Sequence, residues 1–362
     1  MTYIQKILFG SPGTGKSYKV DRYILPEQLS IGSNENKVKT VFHPEYSYGD
    51  FMGKLVPNTR ENGKVEYKFF EGHFLIAIAK ALKNIHECYD KDGNQTREFD
   101  NVALVIDEIN RGNSSAIFGT VFQLLDRDDD GWSSYDINIT QLEFIKLLEL
   151  IGVRFSYHAN QEISEYRLAP FDGVAKLETL QKKIPHLNFD VVNRKIKLPP
   201  NLSILGTMNT SDNSIYFMDS AFKRRWDWEF IDIKPLDNRH FDAIDSKLRT
   251  IDREFWQEMV DAINVFIKSH SDKIRRVEDK QLGYYFIKGD SISHEAIRNK
   301  LMFFLWDSVF SNEKKPLLEL INSSPLRAAS PISKNELITF GDFVRFYEEF
   351  YTAIESRTQP NA

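Results

Sequence analysis

A chain of 362 residues is longer than one hydrophobic core usually holds, so two domains, or one core with large additions, are expected. Hydrophobic residues at 41% and charged residues at 27% exclude a disordered or fibrous chain, and no apolar run approaches the roughly 20 residues that span a bilayer. A formal net charge of −5 excludes the overall basic signature of a dedicated nucleic-acid binder, and the single cysteine, Cys88, excludes an internal disulfide or a multi-cysteine zinc site.

The N-terminus runs straight into an apolar stretch, so the expectation is a chain without a signal peptide, working in the cytoplasm. IQKILFG at 4–10 predicts a short buried strand. It leads directly into GSPGTGKS at 10–17, which satisfies the pattern G-x-x-x-x-G-K-[ST], and a helix continues toward Tyr23. Phosphate binding needs each part of this loop. Gly10, Gly13 and Gly15 let successive backbone N–H groups curl around phosphate oxygens, with Ser11, Pro12 and Thr14 between them. Lys16 supplies a point charge for the β- and γ-phosphates, Ser17 offers a hydroxyl to Mg²⁺, and Tyr18 follows in the first helical turn, where the helix N-terminus favours an anion. The bland reading, a chance glycine-rich turn before a helix, lacks the support of this strand–loop–helix context.

KVKTVFH at 37–43 predicts a second strand, and HFLIAIAKALKNI at 73–85 has apolar residues at helical spacing. NVALVIDE at 101–108 is an apolar run ending in two carboxylates, as a strand buried on both faces of a parallel sheet would be. Asp107 is placed to hold Mg²⁺ through its water shell and Glu108 to polarise the attacking water. An N-cap for the next helix, SSAIFGTVFQLLD at 114–126, is the bland alternative for this acidic pair. NLSILGTMN at 201–209 is a further buried strand, and Asn209 at its tip is placed to orient water opposite Glu108. Its bland reading is a turn residue. Strands alternating with helices predict an α/β doubly wound sheet, whose ligands bind at the carboxyl ends of the strands.

Residues 132–196 are too long for a simple connection and predict an insertion containing a helix at 141–151. MDSAFKRRWDWEF at 218–230 brings Arg224 and Arg225 after a short helix, suited to reach a neighbouring subunit's γ-phosphate as trans-acting arginines. Their alternative is pairing with local carboxylates such as Asp227 or Glu229. After Pro235 the chain becomes mostly helical, with helices expected at 255–270, 293–310 and 340–354, giving a separate helical domain. The expected division is therefore 1–235 and 236–362. Basic stretches are local: KRR at 223–225 and KIRR at 273–276, the latter read as a solvated helix face. Phe303, Phe304 and Trp306 are expected in a core rather than stacked on bases. His43, His73 and His86 fall on different elements and make no metal-ligand pattern.

GSPGTGKS, the DEIN of 107–110, Asn209 and the Arg224–Arg225 pair, in this order, resemble an AAA+ module, in which a helical lid follows an α/β core. More specific stretches are similar to the McrB family. FHPEYSYGDFMGKLVPN at 42–58 resembles that family's FH-x-x-YSYEDF-x-x-G-x-x-P, with Gly49 in place of the usual acidic residue. IDEINRGNSSAIFGTVFQLLD at 106–126, MNTSDNSIYFMDSAFKRRW at 208–226 and QLGYYF at 281–286 resemble further family motifs. Asn213 replaces a family arginine, no lid arginine of the usual type is identified, and the last fifty or so residues match poorly. A family module that reads modified DNA has no counterpart in the sequence.

The resemblance implies a ring, expected to be a hexamer, that hydrolyses nucleoside triphosphate with Mg²⁺. Such a ring drives DNA translocation or remodelling with an McrC-like nuclease subunit in restriction of foreign DNA. DNA contact is expected through the partner or the pore. The resemblance leans to GTP over ATP, while no residue pattern in the chain fixes the base. Two other readings compete: an ATPase of the MoxR- or dynein-related branch that remodels a protein partner, and a nucleotide-dependent scaffold without meaningful turnover. The insertion is expected either to face the pore or the partner, or to be a surface elaboration.

Overall fold

The computed structural model resolves the chain into two compact units, Met1–Trp226 and Asp227–Ala362. Described residues are 3–60, 63–157, 163–171, 173–209, 216, 218–233, 250–274 and 277–358. The expected domain boundary at Pro235, Asn213, and Arg275 and Arg276 of the KIRR stretch lie outside them.

In the first unit the predicted strands are present as β1 (Gln5–Gly10), β2 (Lys37–Val41), β3 (Val102–Asp107) and β4 (Leu202–Asn209). All three pairings, β1 with β4, β4 with β3 and β3 with β2, are parallel. Ile7, Leu8, Phe9, Leu104, Ile106 and Ile204 are fully buried, which explains why β1, β3 and β4 read as mainly apolar runs, whereas β2, at the sheet edge, alternates buried Val38 and Thr40 with exposed Lys39 and Val41. The sheet is flanked by helices, as an α/β fold requires. Helix His73–His86 lies against β2 and β3 through apolar residues at helical spacing, among them Phe74, Ile78, Leu82 and Ile85.

Two predicted helices differ in form. The helix after the phosphate loop runs as an α-turn, Lys16–Lys19, and then as a π-helical stretch, Val20–Gln28, that contains Pro26. Proline lacks the N–H of a regular ladder, and a wider turn accommodates it. The expected helix at 114–126 breaks at Gly119 into an α-helix, Ser114–Phe118, and a 3₁₀ stretch, Gly119–Leu125. Gly119 has φ +50, and a Cβ there would lie 2.9 Å from the Tyr48 ring, so glycine is needed at this corner. Just before it, Phe118 is fully buried, with ring contacts to Phe42, Phe51, Phe222 and Trp226 at 4.8–6.4 Å.

The insertion carries its predicted helix as Gln141–Ile151, started by a capping box between Thr140 and Glu143. It also carries a small antiparallel sheet of Arg154–Tyr157, Ile163–Arg167 and Ala175–Lys176. Its helix packs on His73–His86. A second tether is a histidine pair: His86 Nδ1 lies 3.1 Å from His186 Nε2, and His86 Nε2 lies 2.6 Å from the carbonyl oxygen of Ala169. The His186 ring also stacks on Tyr89 at 4.1 Å.

The second unit opens with strand Asp227–Phe230 and is mainly helical. Helix Arg253–Ser269 buries Trp256, Met259, Val260, Ile263 and Ile267, one face of a 3.6-residue repeat. The stretch expected as one helix at 293–310 is a short α-turn followed by π-helical segments Ile297–Met302 and Phe304–Val309. The last predicted helix is split at Phe346 into Phe340–Arg345 and Tyr347–Thr358. Phe303 packs on Trp228 and Phe340, Phe304 on Phe286, and Trp306 on Phe343, so all three aromatics lie in hydrophobic packing. No helix among the described residues is long and apolar enough to cross a membrane.

The histidine pair makes the first unit sensitive to mild acid. Burial, and then the neighbouring His86, push His186 down from the ordinary 6.5 to about 4. Between these values the unfolded chain binds a proton that the folded one refuses, so stability falls as pH drops through that window. The urea midpoint is expected to decline from pH 6.5 to 5, and His186→Gln to flatten that decline; identical slopes would remove the pair from this role.

Candidate active site

Parallel pairing fixes where the chemistry can sit. Gly10 is level with Asn209, Gly206 with Ile106 and Val41 with Asp107, so the carboxyl ends of all four strands form one edge. In the phosphate loop Gly13 and Gly15 have φ of +79 and +86, which turn backbone N–H groups inward at a steric cost other residues would feel. Lys16 is buried at 7% exposure, and its ammonium donates to the carbonyl oxygens of Ser11 at 2.7 Å and Gly10 at 3.2 Å. Thr14 Oγ1 donates to the Ser11 carbonyl at 3.0 Å. Pro12, Ser17 and Tyr18 are exposed around this loop, and the Tyr18 ring meets Tyr23 edge-on at 6.1 Å.

The structure brings the distant motifs together. Ser17 Oγ donates to Asp107 Oδ1 at 3.3 Å across 90 positions of sequence. Asn209 Nδ2 donates to Glu108 Oε1 at 2.8 Å. These are the contacts expected of a hydroxyl and carboxylate that share a hard cation, and of an amide that orients a carboxylate. Both donors to such a cation are oxygens, the set that suits Mg²⁺. Among the described residues no group of three or more His, Cys, Asp or Glu side chains could hold a metal.

Three residues of the site were not legible in the sequence. Thr207 Oγ1 donates to Asp107 Oδ1 at 2.9 Å and accepts from the Glu108 N–H at 3.4 Å, so it holds both acids. Asn110 Nδ2 donates to the Asn209 carbonyl at 2.8 Å and locks the corner after β3 to the end of β4. Lys39 Nζ lies 2.8 Å from Asp107 Oδ2, and the hydrogen bond to Asp107 holds its ammonium above the ordinary lysine range. For Thr207 the one sequence signal was its position two residues before Asn209, on the same face of the strand, which does not reveal what lies opposite it.

The arginine pair divides. Arg224 is exposed and makes no ion pair among the described residues. Arg225 is engaged within its own chain, but with neither of the carboxylates considered from sequence. Its guanidinium donates to Asp126 at 2.9 and 2.7 Å and to the Ala221 carbonyl, and lies over the Phe122 ring at 3.9 Å. A group so held has little freedom to reach another subunit.

No family model matches the chain. It is similar to the type II restriction enzyme BsuMI component YdiS of Bacillus subtilis, at 27% identity, over 88% of this chain and 82% of that protein. It is also similar to the EcoKMcrB subunit of the type IV methyl-directed restriction enzyme of Escherichia coli, at 28% identity, over 63% of this chain and 35% of that protein. A crystal structure of a candidate ATPase from Cytophaga hutchinsonii overlays with a TM-score of 0.30 at 11% identity, covering 94% of this chain and 84% of that one; at that level the overlay carries no argument.

Two outcomes test this geometry. Arg225→Ala is expected to cost about 2–4 kcal/mol in urea unfolding because it strands Asp126, whereas Arg224→Ala should stay within about 0.5 kcal/mol. Thr207→Val keeps the side-chain shape but removes the shared hydroxyl, and nucleotide hydrolysis should fall about 10- to 100-fold with the fold intact.

Proposed function

We propose that this McrB-like AAA+ P-loop protein is a Mg²⁺-dependent NTPase that favours GTP slightly over ATP and works in the cytoplasm as a ring, with an McrC-like nuclease subunit. In this reading it drives DNA translocation or remodelling in restriction of foreign DNA, an antiviral defence. The observation that carries the hydrolytic part is the linked set Ser17–Asp107 and Glu108–Asn209 on one sheet edge beside the phosphate loop. The restriction context rests on what the two similar proteins are called.

The roles follow from the contacts. Residues 10–18 take the nucleotide, with the Lys16 ammonium leaving the Ser11 and Gly10 carbonyls for the β- and γ-phosphates. Ser17 and Asp107 would hold Mg²⁺, which neutralises charge on the phosphate oxygens. Glu108 accepts a hydrogen bond from the attacking water and draws off its proton. Asn209 fixes the Glu108 carboxylate that does so. Arg224, exposed and unengaged at the end of helix Ser220–Arg224, is the better candidate of the pair for a neighbour's γ-phosphate. Arg225 anchors that helix end to Asp126. Residues 1–235 are assigned as the nucleotide-binding core, with 132–196 as an insertion that either meets the pore or the partner or is a surface elaboration, and 236–362 as the helical lid region.

Glu108→Gln should bind labelled GTP and ATP like the parent chain yet hydrolyse them about 10²- to 10⁴-fold more slowly. Steady-state turnover of both nucleotides should rise with protein concentration and with the nuclease subunit. Mixing inactive Glu108→Gln with inactive Arg224→Ala should restore part of it, because each supplies what the other lacks. ATP preference with no response to the nuclease would move the assignment to a protein-remodelling ATPase of another AAA+ branch. Negligible hydrolysis in the full assembly would leave a nucleotide-dependent scaffold.

A further inference from the structure

Asp107 is the carboxylate through which the site would hold its metal, and three side chains among the described residues meet it. Its Oδ1 accepts from Ser17 and Thr207, at 3.3 and 2.9 Å. Its Oδ2 faces the ammonium of Lys39, at 2.8 Å. The register explains the meeting: Lys39 is opposite Val105 and Val41 opposite Asp107, so Lys39 and Asp107 share a face of neighbouring parallel strands.

The same ammonium has a second carboxylate within reach. Lys39 Nζ lies 3.9 Å from Asp21 Oδ2, while the other oxygen of Asp21 is taken by Lys37. Asp21 follows Ser17 by four residues in the helical run after the phosphate loop, so this second seat is carried by the element that carries the hydroxyl ligand. Two lysines and two aspartates thus form a set of zero net charge. A divalent cation arriving alone meets an ammonium already on its carboxylate. One arriving with a nucleotide brings compensating phosphate charge, and the ammonium can turn about its flexible stem toward Asp21 without any movement of the strands.

We propose that Lys39 is a two-position counter-ion for the metal site: it occupies Asp107 in the empty protein and swings to Asp21 when Mg²⁺ enters with nucleotide. It is a positioning residue that makes the site select the metal–nucleotide pair over the free metal. The proposal rests on Asp107 being the metal ligand of an NTPase, as argued above.

Two equilibrium measurements test it without reference to turnover. Mn²⁺ binding to the nucleotide-free protein, followed by electron paramagnetic resonance, should tighten about tenfold in Lys39→Met and stay near the parent value in Lys39→Arg, which keeps the charge. The gain in affinity for fluorescent mant-GTP and mant-ATP on adding Mg²⁺ should shrink about fivefold in Asp21→Asn, because the displaced ammonium loses its seat. In the Lys39→Met background the same Asp21→Asn change should leave that gain unaltered. Thermal unfolding checks that each variant is folded, and Lys39, partly exposed on an edge strand, is expected to tolerate replacement. Unchanged Mn²⁺ affinity in Lys39→Met, or an Asp21→Asn effect that persists without Lys39, overturns the two-position role. A parent protein whose nucleotide affinity ignores Mg²⁺ overturns the metal-site reading itself, and the proposal with it.

Discussion

Parallel register is the constraint on which everything else in the first unit depends. With β1, β4, β3 and β2 paired so that Gly10 lies beside Asn209 and Val41 beside Asp107, four segments widely separated in sequence end on one edge. Side chains alternate faces along a strand, so a slip of one residue would turn Thr207 away from Asp107 and Asn209 away from Glu108. Cross-strand polar ties make such a slip costly. Ser203, Thr207 and Asn110 are all buried, and a slip would separate them from the Ile4 N–H, the Asp107 carboxylate and the Asn209 carbonyl that they meet. The apolar runs bury the strands, and the polar ties aim their tips.

At that edge the polar groups form a chain rather than a scatter. Lys39, Asp107, Thr207 and Ser17 are linked through one carboxylate, and Thr207 passes the connection to the Glu108 backbone. Asn209 then holds the Glu108 side chain, and Asn110 holds the Asn209 backbone. The two acids are adjacent in sequence yet differently furnished: hydroxyls and an ammonium surround Asp107, whereas an amide addresses Glu108. That difference suits one for a metal and the other for water.

The sequence made the strands, the phosphate loop and the order of the acidic and amide tips legible, because apolar runs, glycine spacing and chain order are local signals. Thr207 was not legible, since a β-branched residue in a buried strand reads as filler until its neighbour across the sheet is known. Lys39 was hidden for the same reason: its partner is specified by register, which no single strand encodes. Arg225 shows the converse, a partner that its spacing did not suggest. Its spacing after Asn209 suited a reaching side chain, but Asp126 and Phe122, a hundred positions earlier, hold it in place. Helix continuity also misled at 114–126, where the Tyr48 ring occupies the space that a side chain at Gly119 would need.

Glu108 sits with φ +55, in the left-handed region that a glutamate enters at a cost of about 1–2 kcal/mol. The chain turns there between β3 and the corner that Asn110 ties down, so the strain belongs to the position rather than to the side chain. The fold alone would be better served by glycine or asparagine at this corner. A library sorted only for survival of heating is expected to shed the glutamate early. If Glu108 has the role proposed for it, a natural relative carrying glycine here would be marked as a lineage released from hydrolysis, whatever the condition of its phosphate loop.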